Sequence, residues 1–308
     1  MISRKDFIKQ TTITSLGGLI FTKLPGSLSD HARMPEPGVQ LFTFFNVIDS
    51  DVAGTLQKIA DIGYKNIESA FSRKGGYYGL KPKEFASRLK DMGMSWKSHH
   101  VIGAPIKRPA NIPPPTGPDG KPVSFPTLKN LKDNYQEIID EVAEGGVPYL
   151  VCANTPIATL EEVKSSIAVF NKVAEAAKKA GVQFAFHNHD KEFQTVEGIV
   201  PYELFLSETD PKTMKMELDI AWAIKGGADP VALFQQHPGR FPLWHIKDLD
   251  AERKTVLPLG KGTINYEPVF KAATIAGLKN YFIEHDMPVD PFSSIRESIS
   301  TMRKLKAN

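Results

Sequence analysis

Short apolar runs recur along the chain, and several begin directly after a helix-like segment that ends in glycine. Such junctions end at Gly63, Gly93, Gly146, Gly181 and Gly277. Glycine just past a helix adopts the left-handed conformation that ends the helix, at little conformational cost. Repeated junctions of this kind indicate alternating strands and helices and argue against an all-β sandwich or a helical bundle.

Eight of the apolar runs are predicted strands. They cover residues 39–45, 64–70, 94–101, 147–153, 181–187, 213–219, 241–247 and 280–285. The runs are nearly continuous in hydrophobicity, as expected for parallel strands that are buried on both faces. Helix-like segments separate them, for example 159–179, and a last one at 292–305 closes the series. The pattern predicts an α/β protein with a single (β/α)8 barrel over residues 36–308. A doubly wound open sheet is the alternative, but no glycine-rich phosphate-binding turn follows the first strand.

The first 35 residues are predicted to be a leader that precedes the barrel. Ser3-Arg4-Lys5-Asp6-Phe7-Ile8-Lys9 precedes a mildly apolar stretch from Ile13 to Phe21. This looks like a twin-arginine export signal in which lysine replaces the second arginine, and it predicts a periplasmic protein. The apolar stretch is too short for a stable membrane span. A cytoplasmic leader without structure is the alternative.

A proline-rich connection follows the third predicted strand. Residues 103–127 contain eight prolines, which exclude a helix or a central strand. In a barrel this connection emerges where the strands end, so it is placed to form a wall or lid over a pocket. A surface insertion without a role at the site is an equal alternative.

The composition is that of an ordinary globular protein, and it limits the classes of partner that are expected. Hydrophobic residues make up 41% and charged residues 24% of the chain, and the net charge is +3. No basic stripe with interleaved aromatic residues is visible, so a nucleic-acid partner is not expected. The one cysteine, Cys152, lies in an apolar run and is predicted to be a buried structural thiol. A homo-oligomer is compatible with the sequence.

Metal-binding residue types end four of the predicted strands. They are His187, Asp219, His245 and Glu284. In a barrel of parallel strands these ends meet on one face, where active sites are built. Two imidazoles and two carboxylates form a mixed site for one divalent metal such as Mn, Zn, Co, Fe or Mg.

Two further residues continue this pattern two positions later on the same strand faces. His189 follows His187, and Lys247 follows His245. His189 and Glu192 are candidates for moving a proton, since imidazole titrates near neutrality. Lys247 is a candidate for stabilising negative charge on a substrate oxygen, with a salt bridge to Asp248 or Asp250 as the alternative.

Three other residues are predicted to contact a substrate. Glu68 and His100 end the second and third strands, and Trp222 follows Asp219 and could line the floor of the pocket. Glu217 shares a strand face with Asp219 and is interpreted as structural, deeper in the barrel.

At these residues the chain resembles the sugar phosphate isomerase/epimerase superfamily, the xylose isomerase-like barrels. The resemblance covers nearly everything from Val39 onward. Its runs are Gly63-Tyr64-Lys65-Asn66-Ile67-Glu68, Phe186-His187-Asn188-His189-Asp190, Glu217-Leu218-Asp219-Ile220-Ala221-Trp222-Ala223 and His245-Ile246-Lys247-Asp248. The fifth-strand ligand is usually glutamate in this superfamily, whereas this chain resembles the subgroup with His-Asn-His. Glu192 or His189 would then take the role of proton-transfer base.

The resemblance implies a sugar isomerase or epimerase that uses a divalent metal. A proton is removed from the carbon next to a carbonyl, and an enediolate intermediate forms. Loss of a β substituent from the same intermediate gives a lyase or dehydratase acting on keto-sugars or 3-keto-glycosides, and this alternative stays open. A non-catalytic sugar-binding module is a second alternative, because a fold alone does not imply an activity. A metal-dependent endonuclease also shares the barrel, but the near-neutral charge disfavours it.

Overall fold

Eight parallel strands form a closed barrel in the computed structural model, which describes residues 34–106 and 128–307. The described residues contain ten strands, of which all but β8 and β9 belong to the barrel. They are β1 (Gly38–Gln40), β2 (Asn66–Ser69), β3 (Ser95–Ile102), β4 (Tyr149–Asn154), β5 (Gln183–His187), β6 (Met214–Asp219), β7 (Leu243–Ile246), β8 (Asp248–Leu249), β9 (Val256–Leu257) and β10 (Asn280–Ile283). The barrel order is β1-β10-β7-β6-β5-β4-β3-β2, and β1 pairs with both β2 and β10 to close it. The short strands β8 and β9 form a separate antiparallel ribbon.

Helices connect the strands of the barrel. They are α1 (Val52–Ile62), α2 (Pro82–Asp91), α3 (Leu131–Glu144), α4 (Leu160–Lys179), α5 (Pro201–Ser207), α6 (Ile220–Lys225), α7 (Pro230–Gln236), α8 (Glu267–Lys271), α9 (Ala273–Ala276) and α10 (Pro291–Ala307). Two 3-10 helices lie at Leu41–Phe44 and Lys191–Phe193. The predicted (β/α)8 barrel is therefore confirmed.

The first strand is shorter than predicted. It ends at Gln40, and Leu41–Phe44 form a 3-10 helix instead of continuing the strand. The Gln40 side chain accepts a hydrogen bond from the Phe42 amide at 3.0 Å and so satisfies a donor at the start of that helix. A local side-chain cap competes here with strand pairing, and the apolar pattern alone does not reveal it.

The glycine junctions behave as the sequence predicts. All five of the glycines named above have positive φ, from 68° at Gly146 to 109° at Gly63. At Gly277 there is a second constraint, since an added Cβ would lie 2.9 Å from the Gly239 Cα. This helix end therefore needs glycine for its conformation and for its close packing.

Two apolar regions hold the barrel together. The larger lies between the strands and the helices and includes Phe170, Phe184, Phe186 and Phe205, whose rings contact one another. The smaller lies inside the barrel. Its members are Val151, Ala185, Leu243 and Phe282, all fully buried. We call this inner cluster the lower layer.

Two predictions fall on residues outside the described ranges. Residues 1–33 of the leader and residues 107–127 of the proline-rich connection lie there. Export through the leader and a lid over the pocket therefore stay predictions. Among the described helices, none is long and apolar enough to cross a membrane.

Candidate active site

Ionisable side chains lie directly above the lower layer, on the same inward faces of the strands. On three strands, the residue two positions after a member of the lower layer is ionisable. The pairs are Ala185 and His187, Leu243 and His245, and Phe282 and Glu284. Alternate residues of a strand share a face, so the polar groups replace the apolar core toward the ends of the strands. All three ionisable residues are at most 5% exposed.

Asp219 is held by the end of its strand and by the helix that follows. One carboxylate oxygen, Oδ1, accepts a hydrogen bond from the Trp222 amide at 2.8 Å and caps α6. The Asp219 amide donates to Asn188 Oδ1 at 3.1 Å, and the Asn188 side-chain amide lies 3.3 Å from the Asp219 carbonyl oxygen. Asn188 thus ties the ends of β5 and β6 together. The second oxygen of Asp219, Oδ2, is left facing the barrel interior.

Asp219, His245 and Glu284 form the first of two groups that could hold a metal. One ligand atom from each lies within 4.8 Å of the others, and all three residues are buried. His245 Nδ1 lies 2.9 Å from Glu284 Oε2 and 3.9 Å from Asp219 Oδ2. We call this group the upper group, and three of the four predicted metal ligands belong to it.

Lys247 lies against the upper group. Its Nζ is 2.9 Å from Asp219 Oδ2, 2.5 Å from Glu284 Oε2 and 2.8 Å from Asp286 Oδ2. Burial alone would lower the pKa of Lys247, but these carboxylates outweigh it and raise the pKa well above its usual value. The same contact keeps the pKa of Glu284 low despite its burial. Lys247 is therefore a cation beside the upper group, and its salt bridges are formed with Asp219, Glu284 and Asp286 rather than with Asp248 or Asp250.

His100, His187, Glu217 and His245 form the second group, which we call the lower group. One ligand atom from each lies within 4.8 Å of the others. Glu217 Oε2 lies 2.5 Å from His100 Nε2, 3.2 Å from His187 Nδ1 and 3.3 Å from His245 Nε2. His187, the fourth predicted metal ligand, is therefore brought next to Glu217, and His245 belongs to both groups through its two ring nitrogens.

Glu68 lies beneath His245 and is fully buried. Its Oε2 accepts a hydrogen bond from the Gln40 side-chain amide at 2.7 Å and lies 2.5 Å from His245 Nε2. Carboxylates at both ring nitrogens, together with Glu217, raise the pKa of His245 despite its burial. Glu68 thus fixes the orientation of a candidate ligand, whereas the sequence suggested a substrate contact for it.

The other ionisable groups around the two sites lose charge through burial. Burial raises the pKa of Glu68 and of Glu217 to about 7, and repulsion from Glu217 adds to the shift at Glu68. The pKa of Asp219 rises to about 6 mainly through burial. Burial lowers the pKa of His100 to about 4, and burial with neighbouring His245 lowers the pKa of His187. Neutral imidazoles are the form that binds metals.

His189 and Glu192 occupy different surroundings. His189 is partly exposed, its ring centroid lies 5.1 Å from that of His187, and burial with the nearby Lys247 lowers its pKa to about 4. Glu192 is buried, and its Oε2 accepts a hydrogen bond from the His189 amide at 2.9 Å. Of the two proton-transfer candidates, His189 therefore has its side chain at the pocket.

Trp222 and His100 border the space next to these groups. The Trp222 ring lies 5.3 Å from Lys247 Nζ and 6.0 Å from the His189 ring, and its buried Nε1 has no hydrogen-bond partner in the described part of the chain. His100 lines a cavity of about 110 Å³ together with residues such as Phe71 and Tyr77. His100 therefore lines a cavity, whereas Trp222 lies beside Lys247 and His189.

Buried oxygens without partners show that these residues fit a metal ion. Glu68 Oε1 and Glu217 Oε1 accept no hydrogen bond from any described residue, and Asp219 Oδ2 has only the Lys247 ammonium, which is close but not aligned for a hydrogen bond. Buried carboxylates without partners are heavily penalised by desolvation. A divalent cation is the kind of partner that imidazole and carboxylate oxygens bind.

Sequence reasoning missed three residues of the site. Asp286 follows Glu284 by two positions, so the alternation that identified Lys247 would have found it. Gln40 and Asn188 act through hydrogen bonds across neighbouring strands. Their roles had no signal in the sequence beyond their place at the ends of strands.

Comparisons with known proteins agree with this fold. A family model described as xylose isomerase-like TIM barrel matches residues 56–305. A solved sugar phosphate isomerase/epimerase from Parabacteroides distasonis is 26% identical, with a TM-score of 0.70 over 90% of this chain and 96% of that chain. A solved L-ribulose 3-epimerase is 16% identical, with a TM-score of 0.65 over 89% of this chain and 95% of its own, and shares the fold.

Inosose dehydratases are similar over a shorter segment. The protein from Geobacillus thermodenitrificans is 27% identical over 146 residues, which are 42% of this chain and 48% of that protein. The similarity thus spans about half the length of this relative.

Proposed function

The chain belongs to the xylose isomerase-like TIM barrel family, and from this premise we propose that it is a metal-dependent sugar isomerase or epimerase. The observation that supports this most is the upper group, in which Asp219, His245 and Glu284 converge at the ends of three strands beside Lys247. The reaction would begin with removal of a proton from the carbon next to a substrate carbonyl.

Asp219, His245 and Glu284 would hold the metal in this proposal. A divalent cation supplies Lewis acidity, which polarises a carbonyl and its neighbouring hydroxyl and is worth several kcal/mol in such reactions. Glu68 contributes by fixing the His245 ring, because a ligand histidine whose other nitrogen contacts a carboxylate keeps its orientation.

His189 is the proposed base. It stands at the pocket, and with a lowered pKa its imidazole is uncharged at neutral pH and can accept a proton. Return of the proton to the other face of the same carbon gives epimerisation, and return to the neighbouring carbon gives isomerisation.

Lys247 is proposed to stabilise the negative charge that develops on the substrate oxygen. It stays protonated and is already oriented by Asp286 and Glu284, so little reorganisation is needed during the reaction. The Trp222 ring, 5.3 Å from Lys247 Nζ, would border the substrate beside this ammonium.

The charges around the pocket favour an uncharged sugar or polyol over a sugar phosphate. Among the described residues, Lys247 is the ammonium in contact with the upper group, and it is already shared by Asp219, Glu284 and Asp286. A phosphate dianion near these carboxylates would be repelled.

Dehydration is the second candidate, and the similarity to inosose dehydratases favours it. The first step is the same removal of a proton next to the carbonyl. The hydroxyl on the following carbon then leaves as water after it accepts a proton. A cyclic keto-polyol would be the substrate class.

An exchange experiment in deuterated water tests these proposals. The metal-loaded protein is incubated with free keto- and aldo-sugars, sugar phosphates, cyclic keto-polyols and 3-keto-glycosides, and products are analysed by NMR. Deuterium at an inverted carbon supports epimerisation, deuterium at the neighbouring carbon supports isomerisation, and loss of water supports dehydration.

The same experiment defines what would contradict the proposal. Wild-type protein that is folded and metal-loaded but exchanges no proton of any substrate would overturn it. His189→Gln should slow exchange by about 100-fold or more, the usual contribution of a positioned base. His237→Gln is the matched control, since His237 follows α7 and belongs to neither group.

A further inference from the structure

The lower group has a geometry of its own, apart from the upper group. Its four residues come from four strands, β3, β5, β6 and β7, and all are at most 7% exposed. The His100 and His245 rings are nearly parallel, with an interplanar angle of 4° and centroids 5.1 Å apart. The His187 centroid lies 4.5 Å from that of His245 and 4.9 Å from that of His100. Three imidazoles therefore surround one carboxylate oxygen, Glu217 Oε2.

Several atoms of this cluster lack the partners that burial demands. Glu217 Oε1 has no hydrogen-bond partner among the described residues, and His187 Nδ1, although 3.2 Å from Glu217 Oε2, is not aligned for a hydrogen bond. Glu68, which lies 3.3 Å from His100 through its Oε2, adds a second unpartnered oxygen. A purely structural hydrogen-bond network would satisfy such atoms, because each unsatisfied buried polar group costs about 1–3 kcal/mol.

The nearest ammonium does not neutralise the lower group. Lys247 is directed to Asp219, Glu284 and Asp286 in the contacts described above. Glu68 pairs with the Gln40 amide and His245, and Glu217 pairs with His100, so no ammonium among the described residues neutralises either carboxylate. A cation at the centre of the three rings would satisfy the free carboxylate oxygen and the free imidazole nitrogen together.

We propose that His100, His187, Glu217 and His245 form a second divalent-metal site, below the upper group and distinct from it. Three nitrogen ligands and one oxygen ligand suit Zn, Co or Fe, whereas the oxygen-rich upper group suits Mn or Mg as well. His245 is shared by the two sites, with Nε2 toward the lower group and Nδ1 toward the upper group. Binding at the lower site therefore replaces the contact of Nε2 with Glu68 Oε2, and a ring bound on both sides carries no N–H. The inference goes beyond the proposed function, because the lower site does not depend on what the upper group does.

Two substitutions separate the sites. Glu217→Gln removes the carboxylate ligand of the lower group, and Asp219→Asn removes one from the upper group. Both are nearly isosteric. The metal-free proteins are titrated with Co²⁺ and Zn²⁺, with visible absorption, metal content by elemental analysis and unfolding temperature as readouts. Four-coordinate Co²⁺ with imidazole ligands absorbs far more strongly than six-coordinate Co²⁺ with oxygen ligands.

We expect the strong Co²⁺ absorption to persist in Asp219→Asn and to be lost in Glu217→Gln. Loss of a direct ligand should weaken Zn²⁺ binding at the lower site by more than about 100-fold, since even outer hydrogen-bond partners cost 10–100-fold. His100→Gln should act like Glu217→Gln, and His99→Gln on the same strand should leave binding unchanged.

Three results would overturn the lower site. Metal content and absorption unchanged in Glu217→Gln would show that only the upper group binds. Equal loss of all metal in both folded variants would show one site built from both groups. No binding by the folded wild-type protein would remove both sites. In contrast, metal lost only in Glu217→Gln, with sugar turnover unaffected by Asp219→Asn, would support the lower site and contradict the proposed role of the upper group.

Discussion

The interior of the barrel contains two layers that differ sharply although they share strands. In the lower layer Ala185, Leu243 and Phe282 pack without polar atoms in their side chains. Two residues further along the same strands, His187, His245 and Glu284 bring charge and hydrogen-bonding groups into an equally buried environment. Burial is the same, and only the chemistry of the side chains changes.

The difference separates stability from function. Apolar packing in the lower layer stabilises the fold through burial of surface, on the order of 25 cal/mol per Å². In the layer above, several carboxylates are buried away from water. Their desolvation lowers the stability of the fold unless a cation or hydrogen bonds compensate. A chain that keeps such groups together at the open end of a barrel is organised for binding.

The largest effect is expected from a substitution in the layer of ionisable residues, and it is a loss of turnover. Asp219→Asn should lower kcat by about 1000-fold, since removing several kcal/mol of metal-assisted stabilisation corresponds to this factor. The unfolding temperature should change little, because asparagine can still cap α6 through its side-chain oxygen. Steady-state kinetics on a substrate found in the exchange panel provides the measurement, and full turnover by the folded variant would contradict the role of the upper group.

The next effect is expected from the lower layer and concerns stability. Leu243→Ala should lower the free energy of unfolding by about 2–5 kcal/mol, because it removes a fully buried side chain and leaves a cavity. Metal content and kcat per folded molecule should change much less. Denaturant unfolding and metal analysis on one sample measure both. If Leu243→Ala instead abolished metal binding without loss of stability, the two layers would not be separable as described.

The sequence predicts the layers better than it predicts the contacts inside them. Alternation along β5, β6 and β7 identifies which residues face inward, and the ends of parallel strands must meet on one face. This suffices to bring His187, Asp219, His245 and Glu284 into one buried region. It also explains why His100 faces the interior while His99 packs outward against Ser69.

The division into two groups is not readable from the sequence. Glu68 on β2 reaches His245 on β7 across the barrel, and this contact depends on the relative stagger of strands that are not neighbours. Alternation gives the face of a strand but not this stagger. For the same reason the alternation places Glu217 deeper in the barrel than Asp219 but does not reveal the three histidines around its Oε2.

A smaller effect is expected from pH in the metal-free protein. Burial raises the pKa of Glu68 and Glu217 to about 7, so the native state binds protons that the unfolded chain has released. Native stability from these carboxyls is therefore present at low pH and lost as pH rises through about 7. Between pH 6 and pH 8 the metal-free wild type should lose about 1 kcal/mol more than metal-free Glu217→Gln.

Denaturant unfolding at both pH values, with a chelator present, measures this difference. Histidines that titrate in both proteins largely cancel in the comparison. Glu217→Gln also relieves the repulsion on Glu68 and removes a carboxylate from His245, and both changes act in the same direction. An equal or steeper loss in the variant would show that Glu217 is not protonated in the native metal-free state. Saturating Zn²⁺ should reduce the pH dependence, since a bound cation replaces the protons.

The smallest effect is expected from the outer face of β4, at Cys152. Val151 belongs to the lower layer, so Cys152 points the other way, into the apolar region beneath the helices, where its Sγ donates to the Asn154 carbonyl oxygen at 3.3 Å. Burial raises the pKa of its thiol, which keeps it protonated and unreactive. Cys152→Ala should cost about 1 kcal/mol of stability or less through lost packing, with kcat and metal content unchanged. Rapid alkylation of the native thiol, or a tenfold loss of turnover in the folded variant, would instead place this side chain near the site. Either result would contradict the assignment of inward and outward strand faces on which both layers depend.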